Sequence, residues 1–324
     1  DQSNFTKQIV WFVISLVLFF VIFRIKTETL FNWRYIIFWF LVASLAILLI
    51  AGMIVSGVKS WFKIGFISIQ CSEFIKIPLA LIFAKTLAKI SIINLKILLK
   101  LLMIVGIPFG LITLQPDLGT ASILATFIII CLFLKRVKFS VVLILVLIFS
   151  SGLYLAWNYI LKSYQKDRII SFINPQKYRH STGYQIIQSK IAIGSGGLMG
   201  KGYLKGSQSQ YKFIPTRHTD FIIAVLGEEM GFMGISFLFI LFLILFYRQF
   251  NLKAQMDEEF YFVYLFNGLI LFQFFINVLM SIGYFPILGV PLPFVSYGGS
   301  SLLSFFIGEA IIFKIKINPF INEF

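Results

Sequence analysis

Long apolar runs separated by short polar segments dominate this sequence of 324 residues. Several runs approach the ~20 residues that a helix needs to cross a bilayer. The nine runs cover residues 9–23, 33–53, 70–88, 97–114, 118–134, 139–158, 219–247, 260–282 and 297–317. They lack the alternation of barrel strands, and lipid cannot satisfy an open backbone. The pattern predicts an all-α, polytopic transmembrane helix bundle, with residues 1–324 as a single integral membrane domain.

One connection departs from this pattern. Residues 159–218, between the sixth and seventh predicted spans, are polar and rich in glycine. The segment is too polar to lie in lipid and long for a loop without structure. We expect it to carry short helices and to be functional.

Composition supports a membrane protein, and the distribution of charge predicts its orientation. Charged residues make up 13% of the chain, against ~25% in soluble domains. The net charge of +15 is spread over short loops, which argues against a nucleic-acid partner. Basic residues concentrate in alternate loops, at Arg24, Lys26, Arg34, Lys85, Lys89, Lys96, Lys100, Lys135, Arg136, Lys138, Arg248, Lys253, Lys314 and Lys316. These loops are predicted to be cytoplasmic, so residues 115–119, 159–218 and 289–300 share the outer face with the N-terminus.

Cysteine and histidine offer no metal or disulfide framework. Cys71 and Cys131 lie in or beside apolar runs, and His180 and His218 have no CxxC or HExxH context. No structural metal site is therefore expected. Residues 1–7 precede the first run, and no signal-peptide cleavage pattern follows it.

Two polar groups near predicted span ends carry candidate chemistry. Asp117 precedes the fifth span, where it fits a helix N-cap and equally a partly desolvated general base. Glu73 and Lys76 are three residues apart, which puts them on one helix face. They fit an interfacial ion pair, a holder for an anionic headgroup, or a support for a catalytic carboxylate.

Three further segments are rich in polar or conformationally special residues. Residues 194–202 are rich in glycine and fit a tight loop, with a phosphate cradle as the weaker interpretation. Thr219 or Asp220 can cap the seventh span, and Glu228-Glu229 inside it fits a structural cluster or a substrate site. Residues 289–301 contain two prolines and Gly298-Gly299, so this segment is predicted to be irregular and to line the site.

Four segments, in this order, resemble the signatures of the SEDS proteins (shape, elongation, division and sporulation). They are QPDLGT at 115–120, GYQIIQSKIAIGSGGLMGKG at 183–202, RHTDFIIAVLGEEMGFMG at 217–234 and PLPFVSYGGSS at 291–301. The resemblance covers nearly the whole chain. The segment at 206–221 is more similar to the elongation branch, RodA, than to the division branch, FtsW.

The resemblance implies a peptidoglycan glycosyltransferase that polymerises lipid II on the outer face of the bacterial cytoplasmic membrane. Its partner would be a class B penicillin-binding protein that crosslinks the strands. The family's essential aspartate falls on Asp117, which would take the proton of the acceptor 4-hydroxyl as that hydroxyl attacks the donor anomeric carbon with inversion. Lys76, Arg217 or a divalent ion such as Mg2+ or Mn2+ would assist the departing undecaprenyl pyrophosphate; no cofactor is firmly implied. The implied substrate-binding residues are Glu73, Lys76, Gln188, Lys201, Arg217, His218, Asp220, Ser296 and Tyr297.

The chain departs from the family pattern at Cys71 (usually Pro), Thr216 (commonly Glu) and Leu288 (often Thr). The family also has ten spans, and the run at 9–23 corresponds to its second, so we expect the first family helix to be absent from this sequence.

Two other functions fit a polar cavity among membrane helices. One is a lipid II flippase, which moves its substrate without bond chemistry. The other is a non-catalytic scaffold for the penicillin-binding protein. The role of Asp117 separates them from a polymerase, because only the polymerase needs a base there.

Overall fold

A computed structural model of the chain describes residues 2–55, 58–64, 67–178, 182–252 and 254–321. His180 and Lys253, which entered the predictions above, lie outside the described residues. The chain forms two compact units. The first comprises Asp1–Val141, Tyr247–Phe272 and Tyr297–Phe324, and the second comprises Val142–Phe246 and Gln273–Ser296.

Each of the nine predicted spans overlaps one or two helices of the structure. In chain order the helices are α1 (Gln2–Arg24), α2 (Thr27–Ala51), α3 (Cys71–Phe74), α4 (Lys76–Ala88), α5 (Leu95–Leu114), α6 (Leu118–Leu134), α7 (Phe139–Leu155), α8 (Ser163–Ile173), α9 (Thr182–Gly196), α10 (Ser207–Gln210), α11 (Ile222–Phe250), α12 (Asp257–Ser281) and α13 (Gly299–Ile321), with a π-helical turn Ala156–Ile160 after α7. The predicted all-α, multi-pass membrane fold is confirmed.

Six helical segments among the described residues are long and apolar enough to cross a membrane on their own. They are Phe5–Arg24, Thr27–Ala51, Leu95–Leu114, Phe139–Tyr159, Ile222–Phe250 and Asp257–Ser281, and Leu118–Leu134 is a shorter apolar helix. The other two predicted spans fall on α3–α4 and on α13. The first is interrupted at Ile75 and the second carries charged residues, which explains why neither forms one long apolar helix.

A small sheet lies between α2 and α3, where the hydrophobic pattern indicates only a short connection between two spans. Strands β1 (Met53–Val55), β2 (Val58–Ile64) and β3 (Ile67–Gln70) form an antiparallel sheet in this order, with Trp61 opposite Gln70. Two further strands, β4 (Ile92–Ile93) and β5 (Arg136–Val137), pair in parallel. In the sequence, glycines lie between the strands of the first sheet, which is a hairpin signal. The sheet matters because its last residue, Gln70, reaches the candidate site.

The first unit packs its helices around aromatic side chains. Helix α1 lies against α13, α2 against α4, and α5 against α6. Phe31 meets Phe262, and Phe83 meets Phe127, with ring centroids 6.3 and 5.6 Å apart. The Phe83–Phe127 contact joins α4 to α6, the helix that Asp117 caps.

The second unit contains the long polar segment, which carries the short helices α8, α9 and α10 as predicted. Its core is apolar and includes Ile186 of α9, Phe221, Ala224 and Met280. Ser189 of α9 donates its hydroxyl to the carbonyl of Ser281. The segment is therefore folded onto helices rather than extended from them.

Helix α11 is broken at Gly231, whose φ of 65° and ψ of −163° are not helical. The Gly-rich loop of residues 197–202 replaces the lost backbone hydrogen bonds. Lys201 and Gly202 donate N–H groups to the carbonyls of Glu228 and Glu229. In return the N–H groups of Phe232 and Met233 donate to the carbonyls of residues 197 and 198. A Cβ atom at Gly231 would lie 2.3 Å from the nitrogen of Gly200, so this close pairing requires glycine.

This pairing decides two open interpretations of the Gly-rich loop. The tight loop is confirmed, since Gly197, Gly200 and Gly202 have positive φ. The phosphate cradle is wrong for Lys201 and Gly202, because their N–H groups already donate to the carbonyls of α11.

Glu228 is buried and joins this loop to helix α11. Its carboxylate accepts hydrogen bonds from five donors: the ammonium of Lys201, the hydroxyls of Ser207 and Ser209, and the backbone N–H groups of Gln208 and Ser209. Of the two roles left open for Glu228, the structure supports the structural one. Lys201, predicted to bind substrate, instead holds Glu228 with its Nζ 2.8 Å from Oε1.

We expect Glu228→Ala to destabilise the protein by at least about 3 kcal/mol, because it leaves buried donors and the Lys201 charge without their acceptor. Glu258→Ala is the matched control, since the Lys85–Glu258 pair spans 3.5 Å and is partly exposed. Its loss should cost less than about 1 kcal/mol. Unfolding by SDS in mixed micelles measures the free energy of unfolding of both variants. An equal loss of this free energy in the two would contradict the structural role of Glu228.

Candidate active site

Asp117 lies between α5 and α6 and caps the second of these helices. Its Oδ1 accepts the backbone N–H of Thr120 at 3.1 Å, and its Oδ2 accepts the Thr120 hydroxyl at 2.9 Å. The N-cap interpretation is therefore confirmed. The side chain remains partly exposed, so a capping Asp117 can still contact a substrate.

Gln70 connects Asp117 to two other elements of the first unit. Its Nε2 donates to Asp117 Oδ2 at 2.8 Å, and its backbone N–H donates to the Ser300 hydroxyl at 2.9 Å. The Oγ of Ser60 on β2 lies 3.5 Å from the same Nε2. The start of α6 and the start of α13 thus both bond to Gln70 at the end of β3. Ser300 of the last motif is thus linked to Asp117 only through Gln70, and the prediction that residues 289–301 line the site stays a prediction.

Glu73 and Lys76 form a buried ion pair beside this carboxylate. Lys76 Nζ lies 2.6 Å from Glu73 Oε2 and 4.9 Å from the centre of the Phe305 ring. Ser304 donates its hydroxyl to the carbonyl of Glu73. The two residues are only 0% and 3% exposed, Lys76 being the lower. The prediction that they bind substrate directly is not supported, because burial leaves them no surface for a ligand; support of a neighbouring carboxylate fits them instead.

Opposing effects act on the pKa of Asp117. Burial raises it above the ordinary value, and the negative charge of Glu73 raises it further. Hydrogen bonds from Thr120 and Gln70 act in the opposite direction because they stabilise the carboxylate. The net shift is upward. A more basic carboxylate that keeps ordered donors has the properties of a general base.

Arg217, His218 and Asp220 lie together on the turn that precedes α11 in the second unit. Arg217 Nε donates to His218 Nε2 at 3.1 Å, so this imidazole nitrogen must be unprotonated. Burial lowers the pKa of His218, and the positive charge of Arg217 lowers it further. The structure thus places these three predicted residues together and orients the guanidinium by a neutral histidine.

The proline-containing loop is fastened to the same turn by backbone contacts. Ser296 donates its hydroxyl to the carbonyl of Thr219 and accepts the N–H of Leu292. Asn277 donates from Nδ2 to the carbonyls of Asp220 and Val290 at 2.9 and 2.8 Å. The prediction that Ser296 binds substrate is not supported, because its hydroxyl donates one hydrogen bond and accepts another within the protein. Asn277 was not identified from the sequence.

Gln188 and Tyr297 have no specific role in the described geometry. Both are partly exposed, Gln188 on α9 and Tyr297 just before α13. Their assignment to the substrate site stays a prediction.

A protein-held divalent ion is not supported by the described side chains. No group of three or more His, Cys, Asp or Glu among them is arranged to hold a metal. Participation of Mg2+ or Mn2+ stays a prediction, and no chemical step is derived through it.

Gln70, Thr120 and Ser300 are the site residues that sequence reasoning left without a role. Thr120 had a local signal, because it lies three residues after a helix-capping aspartate. Gln70 and Ser300 are far apart in the chain, and nothing in their local patterns indicates that they meet.

Comparison with known proteins identifies the family. The model of the FtsW/RodA/SpoVE family, described as "Cell cycle protein", matches residues 1–319. The chain belongs to this family. It is the SEDS family that the four motifs resemble, and the match includes all four motifs.

Individual relatives agree with the elongation branch. The chain is 38% identical over 268 residues to the peptidoglycan glycosyltransferase MrdB of Escherichia coli K12, covering 82% of this chain and 72% of the relative. It is 32% identical over 389 aligned residues to the peptidoglycan glycosyltransferase RodA of Treponema pallidum, covering 97% and 90%. Its fold matches a chain of a solved peptidoglycan synthase complex that coordinates polymerization and crosslinking, with a TM-score of 0.84, 28% identity and coverage of 98% and 90%.

Removal of the side-chain donors should make Asp117 harder to ionise. We expect Gln70→Leu and Thr120→Val to raise the pKa of Asp117, because each loses a hydrogen bond that stabilises the carboxylate. A base works only when deprotonated, so the acidic limb of the activity profile should move to higher pH. The measurement is glycan polymerisation rate against pH. Ser122→Ala is the control, since Ser122 on α6 donates only to a backbone carbonyl; no shift in the first two variants would contradict the assignment.

Proposed function

We propose that this chain is a peptidoglycan glycosyltransferase of the elongation branch that polymerises lipid II into glycan strands. The observation that carries the proposal is the environment of Asp117. Within the described part of the chain three donors engage its carboxylate. A carboxylate has about four acceptor positions. One position remains for a substrate hydroxyl, on a side chain that is partly exposed and has a raised pKa.

Asp117 accepts the proton of the acceptor sugar's 4-hydroxyl in the proposed reaction. The hydroxyl oxygen forms the new bond to the donor's anomeric carbon as the bond to the pyrophosphate oxygen breaks. Undecaprenyl pyrophosphate leaves with the bonding electron pair. One base and no protein nucleophile are involved, so the anomeric centre inverts.

The departing pyrophosphate needs positive charge near it. Lys76 is too buried to contact it in the described structure. Arg217, the other side-chain cation proposed, is also largely buried, at 6% exposed, and its guanidinium Nε donates to His218. Assistance to the leaving group by Arg217 or by a divalent ion therefore stays a prediction.

The proposed setting is the bacterial cytoplasmic membrane, with the active site on the outer face. The asymmetry of basic residues between alternate loops supports this orientation. A class B penicillin-binding protein is the proposed partner, and the likeness to a chain of a peptidoglycan synthase complex supports it. Lipid-linked substrates explain why this chemistry would be built between membrane helices.

The central test is Asp117→Asn. Asparagine keeps the helix cap but cannot take a proton, so polymerisation should fall by about 10²–10⁴-fold while folding and lipid II binding persist. Asp257→Asn is the matched control, since Asp257 also lies in the first turn of a helix, α12. Reconstituted protein with its partner and labelled lipid II gives the rate, and a normal rate in Asp117→Asn would overturn the base assignment.

Asp220→Asn must be measured alongside it. Asp220 is the other partly exposed aspartate among the predicted site residues, and its backbone is held by Asn277. We expect Asp220→Asn to weaken substrate use with a smaller loss of turnover than Asp117→Asn. A reversed order would transfer the role of base to Asp220 and leave the polymerase function intact.

The flippase and scaffold alternatives predict other outcomes. A flippase would move lipid II across vesicles and form no glycan with its partner present. A scaffold would recruit the penicillin-binding protein, and Asp117→Asn would change neither this recruitment nor the rate of glycan synthesis. We expect glycan strands from the wild type and the strongly reduced yield stated above from Asp117→Asn, with equal partner binding by both in a pull-down.

A further inference from the structure

The Gly-rich loop carries its apolar side chains outward. Leu198 and Met199 are 71% and 78% exposed, although the backbone around them is tightly bonded to α11. Met230, Phe232 and Met233, on either side of the break in α11, are also largely exposed. Apolar side chains from both segments therefore form one patch, which we call the loop–helix patch and define as these five residues.

The backbone pairing fixes the depth of this patch along α11. The carbonyl of Leu198 accepts the N–H of Met233 at 3.1 Å. About 22 Å of helix separate Met233 from Arg248, the basic residue in the last turn of α11. The hydrocarbon core of a bilayer is about 30 Å thick. Leu198 is therefore held alongside a part of the helix that lies within or at the edge of that core.

The patch is continuous with a surface that faces lipid. Beyond the break, Phe237, Ile240 and Leu243 on the spanning part of α11 are exposed apolar residues. Three charged residues lie at the loop. Glu228 and Glu229 are buried, and Lys201, whose side chain is 30% exposed, is neutralised by its ion pair with Glu228. Four backbone groups of α11 around the break, the carbonyls of residues 228 and 229 and the N–H groups of 232 and 233, have partners in the loop, as hydrocarbon requires.

We infer that the tip of the Gly-rich loop, at Leu198 and Met199, inserts into the phospholipid bilayer and anchors the long polar segment to the membrane surface. The occupant of the loop–helix patch is lipid rather than a protein partner. Anchoring would hold the segment at the depth of lipid-linked molecules.

Spin labels in phospholipid nanodiscs test this inference. Cys71 and Cys131 are buried, which favours selective labelling of an introduced cysteine. Met199→Cys is the test position, Ile240→Cys on α11 is the lipid reference, and Lys177→Cys in the polar segment is the aqueous reference. We expect the Met199 label to match Ile240 in accessibility to oxygen and to be several-fold less accessible than Lys177 to the aqueous relaxant Ni-EDDA.

Two outcomes would overturn the inference. Ni-EDDA accessibility at Met199 equal to that at Lys177 would place the loop in water. Low accessibility to both relaxants would indicate a protein contact in place of lipid. Leu198→Cys gives a second, independent position, and unchanged SDS unfolding of each labelled variant guards against misfolding.

Discussion

The structure depends on one constraint, which is that lipid offers no hydrogen-bond partner to the backbone. Helices meet this constraint wherever the chain is continuous and apolar. The break at Gly231 does not, because it frees carbonyl and N–H groups of α11. The Gly-rich loop forms reciprocal backbone hydrogen bonds with these groups of α11. A segment with the sequence of an exposed loop is therefore part of the membrane domain. Irregular backbone is tolerated here because the protein itself supplies hydrogen-bond partners for it.

The same constraint divides the carboxylates near the membrane boundary into two kinds. Glu228 is buried and receives five donors, which leaves it no capacity for a ligand. Asp117 receives three donors and remains partly exposed. Glu73 forms an ion pair with Lys76. Its negative charge also raises the pKa of Asp117. Burial and the number of donors, rather than residue type, thus separate a structural carboxylate from a candidate base.

Most of the fold was predictable from hydrophobic pattern alone. The nine apolar runs locate the long helices because the bilayer imposes both length and composition on them. The N-cap role of Asp117 and the tight turns at Gly197, Gly200 and Gly202 were also predictable, since each depends on residues close in sequence. The sheet of β1, β2 and β3 was missed because its strands are short and lie next to a longer apolar run, which dominates the pattern.

The sequence by itself determined the membrane class, the family resemblance and the identity of the candidate base. Only the tertiary structure decided which polar residues surround that base and which are too buried or too fully hydrogen-bonded to contact a substrate. Gln70 and Ser300 meet across 230 positions of sequence, and Lys201 meets Glu228 across 27. Lys76 is covered by Phe305 of a distant helix. Local patterns report the chemistry of a side chain and the face it occupies, but burial and long-range hydrogen bonds exist only once the helices have packed.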